Sequence, residues 1–497
     1  MGRTKAGTRA GATKQSQDSK QEPSPASGSH KRSAEELDST TDDAPPTKVQ
    51  KQQDAKVPAM FLPRDAAKAF KWLPTLARNS SATCLHGVHL DPGVSTKVAM
   101  FDLDDTLITR KSGKKFSDDP TDWKLWADNV VERLKRAAAD GFAIVIVTNQ
   151  AGLPKGDREA KWKKKISLIS ESAFSEIPFR VLAAMEKDAF RKPQLGMWDA
   201  LVGEYKKEGV TIDKSLSCMV GDAAGRIKPK DFSAGDRKLA ENIGVRFYTP
   251  EEYFKDQKVD LPPMTGFHPS SIKAPTEPFP VLTSSSKKPE LVLFVGYPGC
   301  GKSTLFKRHF GPAGYAHVNQ DILKTKPKCL KEAERVLSEG GKCVVDNTNR
   351  DKNARGEFLA IAKKLKISAR CIYFDQEIEL AWHNNIYRAC HAPVEGAHTT
   401  GAESSTSAGG GGQDPSSDEE VKSKSKGKKP AKKSSAKTTN ETTAELRSVV
   451  PWIAYTTFRS KFEEPETSEG FDEVVRVPFV FEGSEEARQR WNMWLDV

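Results

Sequence analysis

Residues Leu291 to Val295 form a short apolar run that leads straight into Gly296-Tyr297-Pro298-Gly299-Cys300-Gly301-Lys302-Ser303, and a helical stretch opening with Thr304-Leu305-Phe306-Lys307 follows. A strand, a GxxxxGKS loop and a helix in that order leave few folds open. Gly296, Gly299 and Gly301 let backbone N–H groups converge on phosphate oxygens at a helix N-terminus, with Thr304 in the first turn. Lys302 is placed to neutralise the β and γ phosphates of ATP or GTP, and the Ser303 hydroxyl to ligate Mg²⁺. Further strands are expected at Ala316 to Val318, Lys342 to Val345 and Ala369 to Phe374, which makes this region a parallel sheet wrapped by helices.

A phosphate loop does not say what happens to the nucleotide, so the downstream residues must choose. Asp321, in His317-Val318-Asn319-Gln320-Asp321, follows a strand at the sheet edge where doubly wound folds bind ligands. A carboxylate there can take a proton from an acceptor hydroxyl; a helix N-cap is the competing explanation. Asp346 closes the apolar run Cys343-Val344-Val345, the place of an acid that orients Mg²⁺ or a partner residue. Arg355 and Arg388 lie on predicted helices. Either could close over the γ-phosphate, and either could equally belong to a solvated face.

A second α/β set precedes this one, between Phe61 and about Glu252, with strands expected at Lys97 to Phe101, Ala143 to Val147, Phe179 to Ala183 and Cys218 to Val220. The first leads into Asp102-Leu103-Asp104-Asp105-Thr106. Two carboxylates one residue apart suit a nucleophile and an acid/base partner.

With 497 residues, two folded domains and some unfolded sequence are the expectation, and only 37 % of the residues are hydrophobic, so the deficit should lie in discrete stretches. Residues 1–58 are predicted to be a disordered basic tail, 59–260 a first domain, 261–289 a Pro- and Ser-rich linker, and 290–497 a second domain interrupted at about 392–443. That interruption contains Gly409 to Gly412, an acidic patch and the Lys-rich KSKSKGKKPAKK. A net charge of +11 suits a polyanionic partner, and the basic clusters suit a nuclear address or a phosphate-binding arm. Seven scattered cysteines, none in CxxC spacing, argue against a disulfide framework or structural zinc. No apolar run is long enough to span a bilayer, so no membrane partner is expected.

The Asp102-Leu103-Asp104-Asp105-Thr106 segment resembles motif one of the haloacid dehalogenase superfamily, and the remaining motifs appear in order: Thr148 in Val147-Thr148-Asn149-Gln150, Lys192 in Arg191-Lys192-Pro193, and Asp222 in Val220-Gly221-Asp222. The resemblance implies that Asp102 attacks phosphorus to form an aspartyl-phosphate while Asp104 protonates the leaving oxygen and later activates water. It implies Mg²⁺ on Asp102, the Asp104 carbonyl and Asp222, with Thr148 and Lys192 binding phosphoryl oxygens. Together the two halves resemble the eukaryotic polynucleotide kinase 3′-phosphatases. The segments that carry this include Gly221-Asp222-Ala223-Ala224-Gly225-Arg226, Asp231-Phe232-Ser233, Asp346-Asn347-Thr348-Asn349, His383-Asn384-Asn385 and Phe462-Glu463-Glu464-Pro465.

That resemblance implies a haloacid dehalogenase-like phosphatase followed by a P-loop kinase, two doubly wound α/β domains. The implied substrates are DNA 3′-phosphate and 5′-hydroxyl ends, with ATP and Mg²⁺. A monomer is expected, working in the nucleus with repair scaffold proteins or a ligase. The N-terminal stretch is too short and polar for the forkhead-associated domain of animal members. Asp105 stands where the family usually has Gly, and Gln320 where Arg is frequent. RNA end healing and a noncatalytic strand-break scaffold are the competing functions.

Overall fold

The run Lys-Val-Ala-Met-Phe at 97–101 lacks alternation because it sits mid-sheet with apolar layers on both faces, and four of its five residues are buried. The computed structural model describes residues 70–78, 81–114, 117–272, 282–283, 288–391 and 448–496. The predicted tail at 1–58, the predicted interruption at 392–443 and part of the 261–289 linker lie outside the described residues.

In the first half the strands are β1 (Lys71–Trp72), β2 (Leu76–Arg78), β3 (Ser81–His89), β4 (Lys97–Phe101), a small hairpin of β5 (Ile108–Thr109) and β6 (Lys124–Leu125), β7 (Phe142–Asn149), β8 (Phe179–Ala184), β9 (Cys218–Val220) and β10 (Arg246–Tyr248). Five of them form a parallel sheet in the order β8-β7-β4-β9-β10. The chain leaves β4 towards one side and returns to the other, so the carboxyl end of β4 is a topological switch point. Helices α1 (Val130–Ala139), α2 (Arg158–Glu171), α3 (Gly196–Lys207), α4 (Gly235–Ile243) and α5 (Pro250–Lys255) cover it. An antiparallel edge of β3 with β1 and β2 extends the sheet beyond β8. Sequence patterning gave no sign of that edge, because β1 and β2 are only two and three residues long and β3 mixes Ser, Ala, His and Gly among its apolar residues, so it carries little β signal.

The second half holds a wholly parallel sheet of β11 (Glu290–Val295), β12 (Ala316–Val318), β13 (Lys342–Val345), β14 (Ser368–Phe374) and β15 (Glu473–Val477), in the order β12-β13-β11-β14-β15. Its helices are α6 (Lys302–Leu305), α7 (Gln320–Leu323), α8 (Lys326–Ser338), α9 (Lys352–Leu365), α10 (Ile378–Cys390), α11 (Trp452–Ser460) and α12 (Glu485–Trp491). The halves share apolar packing: Ile386 and Cys390 of α10, with Met493 and Leu495, enter the cluster formed by Leu195, Met197 and Trp198 of the first half.

Arg355, on α9, is fully buried and has none of the freedom a phosphate-closing arginine needs. Its Nε and one Nη donate to Glu469 at 2.7 and 2.6 Å, and its remaining donors reach the carbonyls of Asn349, Glu463 and Glu464. All five donors are engaged, so the expectation that Arg355 contacts the nucleotide is corrected. It ties the 463–469 segment to α9, and β15 follows that segment into the sheet. Arg355→Ala leaves Glu469 buried without its cation, which should lower unfolding free energy by about 3–5 kcal/mol in a denaturant titration; a loss below about 1 kcal/mol would contradict this role.

Candidate active sites

At the end of β4 the Asp102 backbone N–H is held by the Val220 carbonyl of β9 at 2.9 Å, which fixes its carboxylate over the sheet edge. Lys192 enters from the loop after β8. Its ammonium lies 2.5 Å from Asp102 Oδ1, 2.6 Å from Asp236 Oδ1 and 2.8 Å from the Val147 carbonyl. The Asn149 amide clamps the Lys192 backbone from both sides, at 2.9 and 3.2 Å. Thr106 receives the Asp222 N–H at 3.0 Å. Gln150 donates to Asp104 Oδ2 at 2.7 Å and to Thr148 Oγ1 at 3.0 Å, joining those two residues in one network.

Asp102, Asp222 and Asp236 bring ligand oxygens within 4.8 Å of one another. Three carboxylates around one ammonium leave an excess of negative charge, and three oxygen donors match a hard divalent cation, so the residues present fit Mg²⁺. Burial, with the neighbouring Asp236 and Asp222, pushes the Asp102 carboxyl well up, against the pull of Lys192. Burial and Asp236 likewise raise Asp222, to about 7. Lys192 stays cationic: burial works against its charge, but the two adjoining carboxylates outweigh it and raise its pKa.

Asp236 had no place in the sequence reasoning. It sits on the first turn of α4, well past Asp222, and no short motif links them. The signal available was Gly221: a side chain there would place its Cβ 2.3 Å from Asp236 Oδ2, so Gly is what lets the two elements meet. Asp105 has a related explanation. Its φ of +57° lies in the left-handed region where Gly is usual and Asp is among the tolerated residues, and its carboxylate is held locally by the Thr109 hydroxyl at 2.9 Å.

Outside this cluster lies a cavity of about 460 Å³ lined by Asp104, Gln150, the bases Arg110, Arg158, Lys161 and Lys165 and the acids Asp118 and Asp119, of which Asp118 pairs with Arg158. Phe232 is 89 % exposed on the loop after Asp222, which Arg226 fastens to Asp231 and Glu251.

In the second half β11 ends in the phosphate loop, and Gly301 adopts φ +98° to start α6. Lys302 donates to the Gly296 and Tyr297 carbonyls at 3.0 and 2.6 Å. Ser303 donates to Asp346 Oδ2 at 2.6 Å, and His317 Nε2 meets the same oxygen at 2.9 Å. Burial pulls the Asp346 carboxyl up, but bonds from His317 and Ser303 and the Lys302 charge prevail and hold it below the usual carboxylate range. Asn319 donates to the Asp346 carbonyl at 2.7 Å and accepts from Asp321 N–H at 2.8 Å. The N-cap of α7 is therefore Asn319, and the exposed Asp321 carboxylate is left without a hydrogen bond or ion pair among the described residues. His317 and Asn319 were missed as site residues, since each alone is a common strand-end residue.

Gly299, Gly301, Thr304 and Arg388 line a cavity of about 490 Å³, closed on another side by Val477 to Phe481 and Arg308. Of the two candidate arginines, the structure thus brings Arg388 to the phosphate loop and places Arg355 elsewhere.

A family model for "Polynucleotide kinase 3 phosphatase" matches residues 97–254. The bifunctional polynucleotide phosphatase/kinase of Schizosaccharomyces pombe is 35% identical over 402 residues, covering 80% of this chain and 83% of that protein. The chain belongs to the bifunctional polynucleotide phosphatase/kinase family. A putative bifunctional polynucleotide phosphatase/kinase of Acanthamoeba polyphaga mimivirus is 35% identical, covering 59% of this chain and 75% of that protein. The polynucleotide 3′-phosphatase ZDP of Arabidopsis thaliana is 35% identical over 175 residues, 32% of this chain and 24% of its own length. The family model falls on the first site alone, while the fission yeast and mimivirus relatives extend beyond it.

The raised Asp222 carboxyl gives a pH signature. An unfolded Asp ionises near pH 4, whereas folded Asp222 keeps its proton to about 7, so between these values the folded state binds more protons and loses stability as pH rises. In EDTA, the melting temperature of the parent chain relative to Asp222→Asn should fall from pH 5 to pH 8. Saturating Mg²⁺ should reverse that difference at pH 8. A difference independent of both pH and Mg²⁺ would refute the assignment.

Proposed function

We propose that the chain processes broken DNA ends, hydrolysing 3′-phosphates at the first site and transferring the γ-phosphate of ATP to 5′-hydroxyls at the second. The observation that carries the first activity is the Lys192 ammonium held between Asp102 and Asp236 beside Asp222. Family membership supports both.

In the first reaction Asp102 attacks phosphorus, and the bond from phosphorus to the 3′ oxygen breaks. Asp104, oriented by Gln150, gives that oxygen its proton. Water then attacks the aspartyl-phosphate, its proton passing back to Asp104 and phosphate leaving. Thr148 holds a phosphoryl oxygen, and the Lys192 ammonium, whose three donors meet Asp102, Asp236 and the Val147 carbonyl, turns one of them from Asp102 to a phosphoryl oxygen as Asp102 attacks. Asp102 and Asp222, with the Asp104 carbonyl that the family resemblance adds, would hold Mg²⁺, which would screen the negative charge that builds on phosphate and carboxylates. Arg110, Arg158, Lys161 and Lys165 draw the strand in, and exposed Phe232 offers a face on which a terminal base can stack.

In the second reaction the phosphate loop and Lys302 take the triphosphate, while the cavity between Arg308 and Val477 to Phe481 takes the nucleoside. Ser303 and Asp346 would hold Mg²⁺ there. Asp321 accepts the proton of the 5′-hydroxyl as its oxygen bonds to the γ-phosphorus and the bond from that phosphorus to the bridging oxygen breaks, releasing ADP, and Arg388 stabilises the charge of transfer. The Lys-rich stretch 422–433 and the basic residues before 58 support work in the nucleus.

The test is one incubation with ATP, Mg²⁺ and a nicked DNA duplex bearing a 3′-phosphate and a 5′-hydroxyl, with matched RNA ends alongside. Both DNA ends should be converted. Asp102→Ala should cut 3′-phosphate release by at least about a thousandfold and spare 5′ phosphorylation, and Lys302→Ala should do the opposite. Loss of both activities in either variant would contradict separate sites, and preference for the RNA ends would move the substrate to RNA.

A further inference from the structure

We propose that residues Trp494 to Asp496, which follow the second half's last helix, form a strap that positions Lys192 and Asp236 of the first site, with Asn242 and Gln194 as the positioning residues. This rests on the 3′-phosphatase reading of that site. Lys192 and Asp236 reach each other from different elements, the loop after β8 and the start of α4, so their ion pair depends on how those elements are held together.

The strap touches both. Asn242, near the end of α4, donates to the Pro193 carbonyl at 3.0 Å and to the Trp494 carbonyl at 2.8 Å, and its own oxygen accepts the Trp494 N–H at 2.8 Å. One amide thus joins α4, the residue after Lys192 and the strap. Gln194, 2 % exposed, donates to the Leu495 carbonyl at 2.7 Å and accepts from His391 Nε2 at 2.5 Å. Burial lowers the His391 pKa to about 3, and the hydrogen bond to the Gln194 amide oxygen selects the tautomer with its proton on Nε2. On α4, two residues beyond Asp236, Lys238 pairs with Asp496 at 2.9 Å and lies 4.8 Å from the centre of the Trp494 ring. The Trp494 indole N–H donates to Glu241 at 2.9 Å.

Three consecutive residues therefore grip the two elements whose side chains flank the nucleophile's cation, and they grip them within two residues of Lys192 and of Asp236. A strap that only fastened the halves together would have no need to bond the Lys192 loop. Because catalysis is sensitive to displacements of about 1 Å, loosening this grip should slow the chemical step more than it weakens substrate binding.

The experiment compares the full chain with Asn242→Ala, Gln194→Ala, Trp494→Ala and the Asn242→Ala/Trp494→Ala double variant, using a 3′-phosphorylated oligonucleotide. Kinase turnover is measured on the same preparations. Each single variant should lose roughly tenfold in phosphatase kcat with KM changed by less than about twofold and kinase turnover retained. The double variant should be no slower than its slower parent, since both substitutions open the same junction. Three results would overturn the strap: phosphatase kcat within about twofold of the parent chain in all single variants, equal losses of both activities, or losses that simply add. A parent chain that releases no phosphate from this oligonucleotide while its kinase turns over would defeat the phosphatase reading itself, and the strap with it.

Discussion

One ammonium shared by two carboxylates organises the first site. Lys192 is almost fully buried, and a buried cation is tolerated only when paired, so the Asp102 and Asp236 contacts are a condition for Lys192 being there at all. The pairing also decides which parts of the chain must meet. Asp102 comes from the end of the central strand, Lys192 from the loop after β8, and Asp236 from α4, so the ion triad locks the sheet edge to the helix layer. Gly221 belongs to the same constraint, since any side chain would push α4 away and withdraw Asp236.

The second site answers the same problem, a carboxylate awaiting a cation, in the opposite way. In the first site three acids crowd together under partial compensation, and burial drives Asp102 and Asp222 up. In the second a single acid, Asp346, sits among donors from Ser303, His317 and Asn319 and is held down. The first arrangement stores repulsion that a divalent ion would relieve, and the second keeps an ionised carboxylate beside the phosphate loop. Both lie at the carboxyl edge of a parallel sheet, where strand ends and helix starts deliver side chains from several elements to one place.

This geometry explains what could be read from the sequence. Asp102, Asp222 and Asp346 follow a buried strand by one or two residues and Lys302 by the seven of the phosphate loop, so an apolar run announces the position and the residue type suggests a chemistry. Asp236 was invisible because its partner is contributed through tertiary packing, with no fixed spacing. Arg355 was misjudged for the same reason: a basic residue on a helix looks alike whether it faces a phosphate or a buried Glu469, more than a hundred positions later in the chain. The antiparallel edge strands failed on different grounds, their composition being weak in β preference and their pairing being set by β8.

The halves are separable in chemistry and inseparable in packing. Each candidate site has its own acids and its own cavity, and no residue placed in one site appears in the other. Yet Ile386, Cys390, Met493 and Leu495 complete an apolar cluster whose other members line the face of the first sheet, and Arg490 adds a two-pronged ion pair to Asp199 at 2.7 and 3.0 Å. Removing the second half would expose that face and strip the supports from Gln194 and Asn242 together. Stability and site geometry therefore cross the boundary between the halves even though no proton or phosphate does. A chain built this way can lose one activity through a change at one set of acids, but it can lose stability in both halves through a change at their common core.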